Sequence, residues 1–141
     1  MLSNAVADGA KVTSVDIMVF DYYIAGEGVV NMGQAAINAA TNTHAQLAGI
    51  FTTLSSAQIW TMEAMTLLPG IDDYPKKTEV TSLADAQTML KFAQANNMNF
   101  LSIWAIQRDN GGCPGSTDSN TCSGITQNTW DFSHVLEPFT G

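Results

Sequence analysis

The chain has 141 residues, 45% of them apolar, enough for one ordinary domain with a core and too apolar for a disordered chain. Acidic residues outnumber basic ones 13 to 5, and the five cations (Lys11, Lys76, Lys77, Lys91 and Arg108) form no stripe, so no nucleic-acid partner is expected: phosphate binding needs clustered Lys and Arg. No apolar run approaches the roughly 20 residues that span a bilayer, and residues 1–10 lack the basic start and apolar block of a signal peptide, so no membrane partner is expected and any export signal is expected upstream.

Residues 1–7 read as the tail of a helix that ends near Gly9. Residues 15–20 (VDIMVF) are short, β-branched and apolar, the pattern of a buried strand. From Gly33 to about Leu54, the residues Ala36, Ala40, Leu47, Phe51 and Leu54 recur at helical spacing. Residues 59–65 (IWTMEAM) form a second strand candidate, with Glu63 a lone acid among apolar neighbours; inward and outward orientations are both open for it. Ser82 and Asp85 make a capping-box pattern ahead of a helix over residues 83–95, with Leu83, Ala86, Leu90 and Ala93 on one face. Residues 100–106 (FLSIWAI) are the third strand candidate, and a short last helix follows Asp131 through Phe132, Val135 and Leu136.

Strands alternating with helices imply an α/β fold with right-handed βαβ units and a parallel sheet. Successive strands begin roughly 40 residues apart, an ordinary βα spacing with room for functional loops. Three parallel strands are few for a domain, because such a sheet needs both faces covered and its edges invite pairing. Self-association, or pairing with the rest of a larger barrel, is therefore expected.

Between strand three and the last helix, Cys113 and Cys122 lie in a stretch rich in Gly, Ser, Thr and Asn. A disulfide closing this short loop implies an oxidising, extracellular compartment; two free thiols are the alternative. His44 and His134 lie on helices without a partner at ligand spacing and read as surface or packing residues, as Trp60 and Trp130 read as packing ones. There is no phosphate loop, nucleophile elbow or metal motif, and neither a cofactor nor a metal is expected.

The loops after the strands carry the functional candidates, because that end of a parallel α/β barrel holds the site. Met18-Val19-Phe20-Asp21-Tyr22 resembles the Met-x-x-Asp-Tyr end of the sixth strand in microbial chitinases of glycoside hydrolase family 18. Asn31-Met32-Gly33-Gln34 and Thr43-His44-Ala45-Gln46-Leu47 are similar to the helix that follows. Thr66-Leu67-Leu68-Pro69-Gly70-Ile71-Asp72-Asp73 resembles the family's Thr-Pro-Met-Ile-Gly-x-Asn-Asp stretch, with the proline moved and Asp72 in place of Asn. Ile103-Trp104-Ala105-Ile106-Gln107-Arg108-Asp109 resembles the eighth strand's Met-Trp-Ser-Leu-Asn-Arg-Asp. The Cys113 to Gly124 loop and Asp131-Phe132-Ser133 complete the likeness, which covers almost the whole chain.

The resemblance implies the carboxy-terminal portion, about strands six to eight, of a (β/α)₈ TIM barrel, as one partial-barrel domain over residues 1–141. It implies binding of chitin or N-acetylglucosamine oligosaccharides. The parent enzyme would hydrolyse β-1,4 bonds with retention through the substrate's own acetamido group, an exception to the two-carboxylate scheme. The family's Asp-x-x-Asp-x-Asp-x-Glu motif, which holds the proton donor, does not occur in the chain, so no catalytic residue is assigned and the acid is expected upstream. Asp21 and Tyr22 are the implied grip on the acetamido group, although many relatives have Tyr where Phe20 stands. Trp104 is the implied floor beneath the sugar. Asp73, with Asp72, is placed on the rim. Arg108 is placed among the substrate-binding loops, paired with Asp21, Asp73 or Asp109, or else exposed. A non-catalytic carbohydrate-binding or interaction protein, and a fragment without independent function, are the alternatives.

Overall fold

The computed structural model describes residues 1–23, 30–73, 78–117 and 119–139. Lys76 and Lys77 lie outside the described residues. The elements run α1 (Leu2–Ala7), β1 (Val15–Met18), α2 (Met32–Ile50), α3 (Ser56–Trp60), β2 (Glu63–Leu67), β3 (Gly70–Ile71), β4 (Val80–Thr81), α4 (Leu83–Asn96), β5 (Phe100–Ile103), a 3₁₀ turn (Ile106–Arg108) and α5 (Asp131–Leu136). β1, β2 and β5 form one parallel sheet in that spatial order, with Met18 beside Thr66 and Thr66 beside Ser102.

Two expectations need correction. Ile59 and Trp60 belong to α3, not to a strand, because Ser55 and Gln58 form a capping box that starts a helical turn there. The second strand therefore starts at Glu63 and runs on to Leu67. The strands expected over residues 15–20 and 100–106 are also shorter: β1 stops at Met18 and β5 at Ile103, where the chain turns into loops. The antiparallel pair β3–β4 was not expected. It is only two residues long per strand, too short for any hydrophobic period to register.

One face of the sheet carries the core. Met65 and Leu67 of β2 pack with Val19, with Ala36 and Ala40 of α2, with Met89 and Ala93 of α4 and with Phe132 of α5; Ile17, Leu101 and Ile103 lean on the same cluster. The small residues of α2 let the helix lie close. At Gly33 an added Cβ would come within 3.1 Å of Asp85 Oδ1, and that carboxylate accepts the Gly33 N–H at 2.9 Å while also capping α4 at Ser82. Asn31 caps α2 by accepting the Gln34 N–H. The chain leaves α4 through Asn97 in the left-handed conformation (φ 52°).

The opposite face is open. By alternation it carries Asp16 and Met18, Ala64 and Thr66, Phe100 and Ser102. Met18 is 61% exposed and Phe100 is also exposed, so the near-continuous apolar character of the strands reflects two faces of which this chain covers one. Across the open face the polar side chains make a ladder: Thr66 Oγ1 donates to Asp16 Oδ2 at 2.6 Å and lies 2.6 Å from Ser102 Oγ.

Candidate functional site

The carboxyl ends of β1, β2 and β5 and the loops that follow enclose a cavity of about 350 Å³, lined by Asp16, Met18, Phe20, Asp21, Thr66, Asp73 and Trp104. Three of the five residues singled out as substrate-binding, Asp21, Asp73 and Trp104, are thus brought together from three different loops. Trp104 directly follows β5 and presents 59% of its surface to solvent; the Trp104–Ala105 peptide is cis.

Asp21 follows β1 in a left-handed conformation (φ 54°), as does Tyr23 (φ 53°), a conformation that non-glycine residues hold only when neighbours fix them. The fixing groups come from the far side of the β3–β4 pair. Asp72 Oδ2 accepts the Asp21 N–H and Glu79 Oε2 accepts the Tyr22 N–H, both at 2.8 Å. Asp21 Oδ1 is shielded without a hydrogen-bond partner among the described residues. Tyr23 is exposed, and the neighbouring Asp21 charge holds its phenol above the usual range.

Tyr22 does not line the cavity. Its ring packs on both apolar clusters beneath, and its hydroxyl is buried with no partner among the described residues. Burial first, then the charges of Glu79 and Asp72, push that phenol well above its ordinary value, so it stays a proton donor.

Arg108 also lies off the cavity. It is buried to 1% exposure and works as a clamp, not as an exposed arginine. Nη2 donates to the carbonyls of Ile71 (2.6 Å) and Pro69 (3.2 Å), and Nη1 donates to the Ser119 carbonyl. Of the three carboxylates considered as its partner, it approaches Asp73, at 3.6 Å. Asp109 is engaged elsewhere: its carboxylate accepts the N–H groups of Phe132 and Ser133, the Ser133 hydroxyl and the Gln127 amide, and so caps α5 from a distant loop. Gly70 lets the loops close, since with φ 81° an added Cβ would sit within 2 Å of the Ser123 carbonyl oxygen, which it would overlap. The Cys113–Cys122 disulfide is formed and braces the same loop.

Asp72, placed on the rim from the sequence, is buried beneath it, and burial, with the Asp21 carboxyl beside it, raises its pKa to about 6. Glu63 turns to the helix side. Its Oε1 lies 2.7 Å from His44 Nδ1, while His44 Nε2 lies 2.9 Å from Ser56 Oγ and the imidazole stacks on Trp60 at 3.9 Å. Burial raises the Glu63 pKa, partly offset by His44. His44 is therefore a packing residue, as expected, and also the partner of a buried acid.

Sequence reasoning missed Asp16, Thr66 and Glu79. Asp16 was legible as the one polar residue within the β1 pattern; Glu79 was legible as part of the family likeness through Thr78-Glu79-Val80, but its role was not, because that depends on a contact with a residue 57 positions away.

No protein-family model matches the chain. It is 34% identical over 150 aligned positions to the "Probable bifunctional chitinase/lysozyme" of Escherichia coli (strain K12), covering 99% of this chain and 16% of that protein. It is 34% identical over 115 positions to Endochitinase 11 of Metarhizium anisopliae, covering 77% of this chain and 22% of that one. Among solved structures, the catalytic domain of the hyperthermophilic chitinase from Pyrococcus furiosus superposes with a TM-score of 0.84 at 29% identity, over 96% of this chain and 43% of that domain. The chain thus spans under a quarter of the curated relatives' length and under half of the solved domain.

Proposed function

We propose, from the premise that this chain belongs to the family 18 chitinases, that it forms about strands six to eight of a (β/α)₈ barrel and supplies one wall of a site for N-acetylglucosamine polymers. The carrying observation is the shared cavity of Asp21, Asp73 and Trp104 at the carboxyl ends of three parallel strands. A chitinase likeness in both sequence and fold, spread along the chain, supports the reading.

The chemistry follows from the side chains. The exposed Trp104 indole offers a flat apolar surface to the apolar face of a pyranose. Asp21 Oδ1, unsatisfied at the cavity wall, accepts a hydrogen bond from a sugar hydroxyl or the acetamido N–H. Tyr22 packs beneath the cavity and supports the Asp21 loop from below. Held this way, the acetamido oxygen attacks the anomeric carbon and the aglycone leaves as its oxygen is protonated; positioning and polarisation are this segment's share. The proton donor comes from outside residues 1–141. Losing a general acid lowers rate by about 10²–10⁴-fold, so this chain alone is at most a trace hydrolase.

The open sheet face bearing Met18, Phe100 and Trp104 is then the barrel interior, which the remaining barrel or a second copy covers. The disulfide fits secretion. Titration with chitotriose tests the reading: tryptophan fluorescence quenches in the wild-type chain and not in Trp104→Ala. A wild-type chain whose fluorescence ignores N-acetylglucosamine oligomers removes the sugar site. Rapid turnover of a chromogenic chitobiose substrate removes the dependence on an outside acid. Light scattering that finds a clean monomer counts against self-association.

A further inference from the structure

We infer that Asp72 is a positioning residue for the sugar site: its buried carboxyl holds the Asp21 main chain and shares a proton with the Asp21 side chain, so that the pair, not Asp21 alone, sets the charge offered to the ligand. The inference rests on the sugar-binding reading for its functional consequence, and on the packing of Asp72 against Asp21 within a cluster of acids for the positioning.

Asp72 is wedged between two loops. Its N–H donates to the Glu79 carbonyl at 3.1 Å. Oδ1 accepts the Asp73 N–H at 2.6 Å and Oδ2 accepts the Asp21 N–H at 2.8 Å. The bond to the Asp21 main chain sets the Asp72 carboxyl beside Asp21, in one cluster of acids with Asp73 and with Glu79, which holds the next N–H along. Two carboxylates side by side repel when both are ionised, and a hydrogen bond between them requires one proton. Burial favours keeping that proton on Asp72, whose pKa is raised to about 6.

The described titratable and charged groups around it agree. Asp21, Tyr22 and Tyr23 face it from the loop after β1, Asp73 from its own loop and Glu79 from the strand-four side. Arg108 reaches Asp73 and the Pro69 and Ile71 carbonyls. With a proton on Asp72, its O–H donates to one Asp21 oxygen and leaves the other for the sugar. When Asp72 ionises, the two charges push the left-handed Asp21 loop away from its anchor.

The test uses the whole chain and its Asp72→Asn variant. Chitotriose affinity, read from Trp104 fluorescence, falls about tenfold as pH rises from about 5 to about 7, the equivalent of one pK unit, and the fall is absent in Asp72→Asn. The same pH dependence in both proteins overturns the inference and leaves the sugar site standing. If neither protein binds chitotriose at any pH, the sugar reading fails, and carboxyl-carbon NMR shifts decide the pairing on their own. An Asp72 midpoint that falls in Asp21→Asn supports it; an unmoved Asp72 midpoint overturns it. Should Asp72→Asn not fold, the same Asp21→Asn measurement decides.

Discussion

Two buried acids sit at opposite ends of this sheet, and their surroundings differ in kind. Glu63, at the amino end of β2, turns into the helix layer and meets His44, which is itself stacked on Trp60 and bonded to Ser56. Asp72, at the carboxyl end, meets another acid. Burial raises both pKa values. The partner decides what the burial accomplishes: an imidazole ties α2 and α3 to the strand, whereas a second carboxyl leaves a proton poised beside the cavity. The acid at the amino end of the sheet ties helices to a strand, and the acid at the carboxyl end lies beside the cavity loops, the end where parallel α/β barrels place their sites.

The largest expected effect leaves both acids intact and breaks the scaffold at the carboxyl end. Gly70→Ala forces a Cβ into the Ser123 carbonyl, and urea unfolding should show a loss of at least about 3 kcal/mol. Next is His44→Ala, which strands Glu63 in the core and removes the Trp60 stack; a loss of about 3 kcal/mol at neutral pH is expected. Equal stability of His44→Ala and wild type would erase the contrast between the two acids.

The pH dependence of stability is smaller. The folded pKa of Asp72 is raised, from 3.8 to about 6. Its contribution is therefore fully present below the unfolded value and is lost as pH rises through the folded one. Stability should decline by about 1–2 kcal/mol between those limits, less than the full linkage value because half-buried Asp21 is partly screened. Glu63 adds a slope of the same sign, so Asp72→Asn should flatten the thermal-melt profile only in part. The smallest effect is that of Trp104→Ala. Its exposed ring contributes within about 0.5 kcal/mol to folding, while chitotriose quenching disappears, which separates binding from stability at a single residue.

Much of the framework was legible in local chemistry. The alternation of strand and helix, the caps at Ser82 and Asp85, the start of α5 and the pairing of Cys113 with Cys122 agree with the structure. The motif likeness also pointed to Asp21, Asp73 and Trp104, which do share a cavity. Arg108 and Tyr22 came from the same likeness, yet one is a clamp between carbonyls and the other lies under the cavity. A motif records residue type and order, not the direction of a side chain.

By itself, the sequence determined the elements and their order, because caps, turn residues and apolar spacing act over a few neighbouring positions. Tertiary structure alone decided which acid meets an imidazole and which meets another acid, and which face of the sheet stays open. Those outcomes depend on groups far apart along the chain, such as Asp21 and Asp72 at a separation of 51, whose desolvation and hydrogen bonds exist only once the strands have paired.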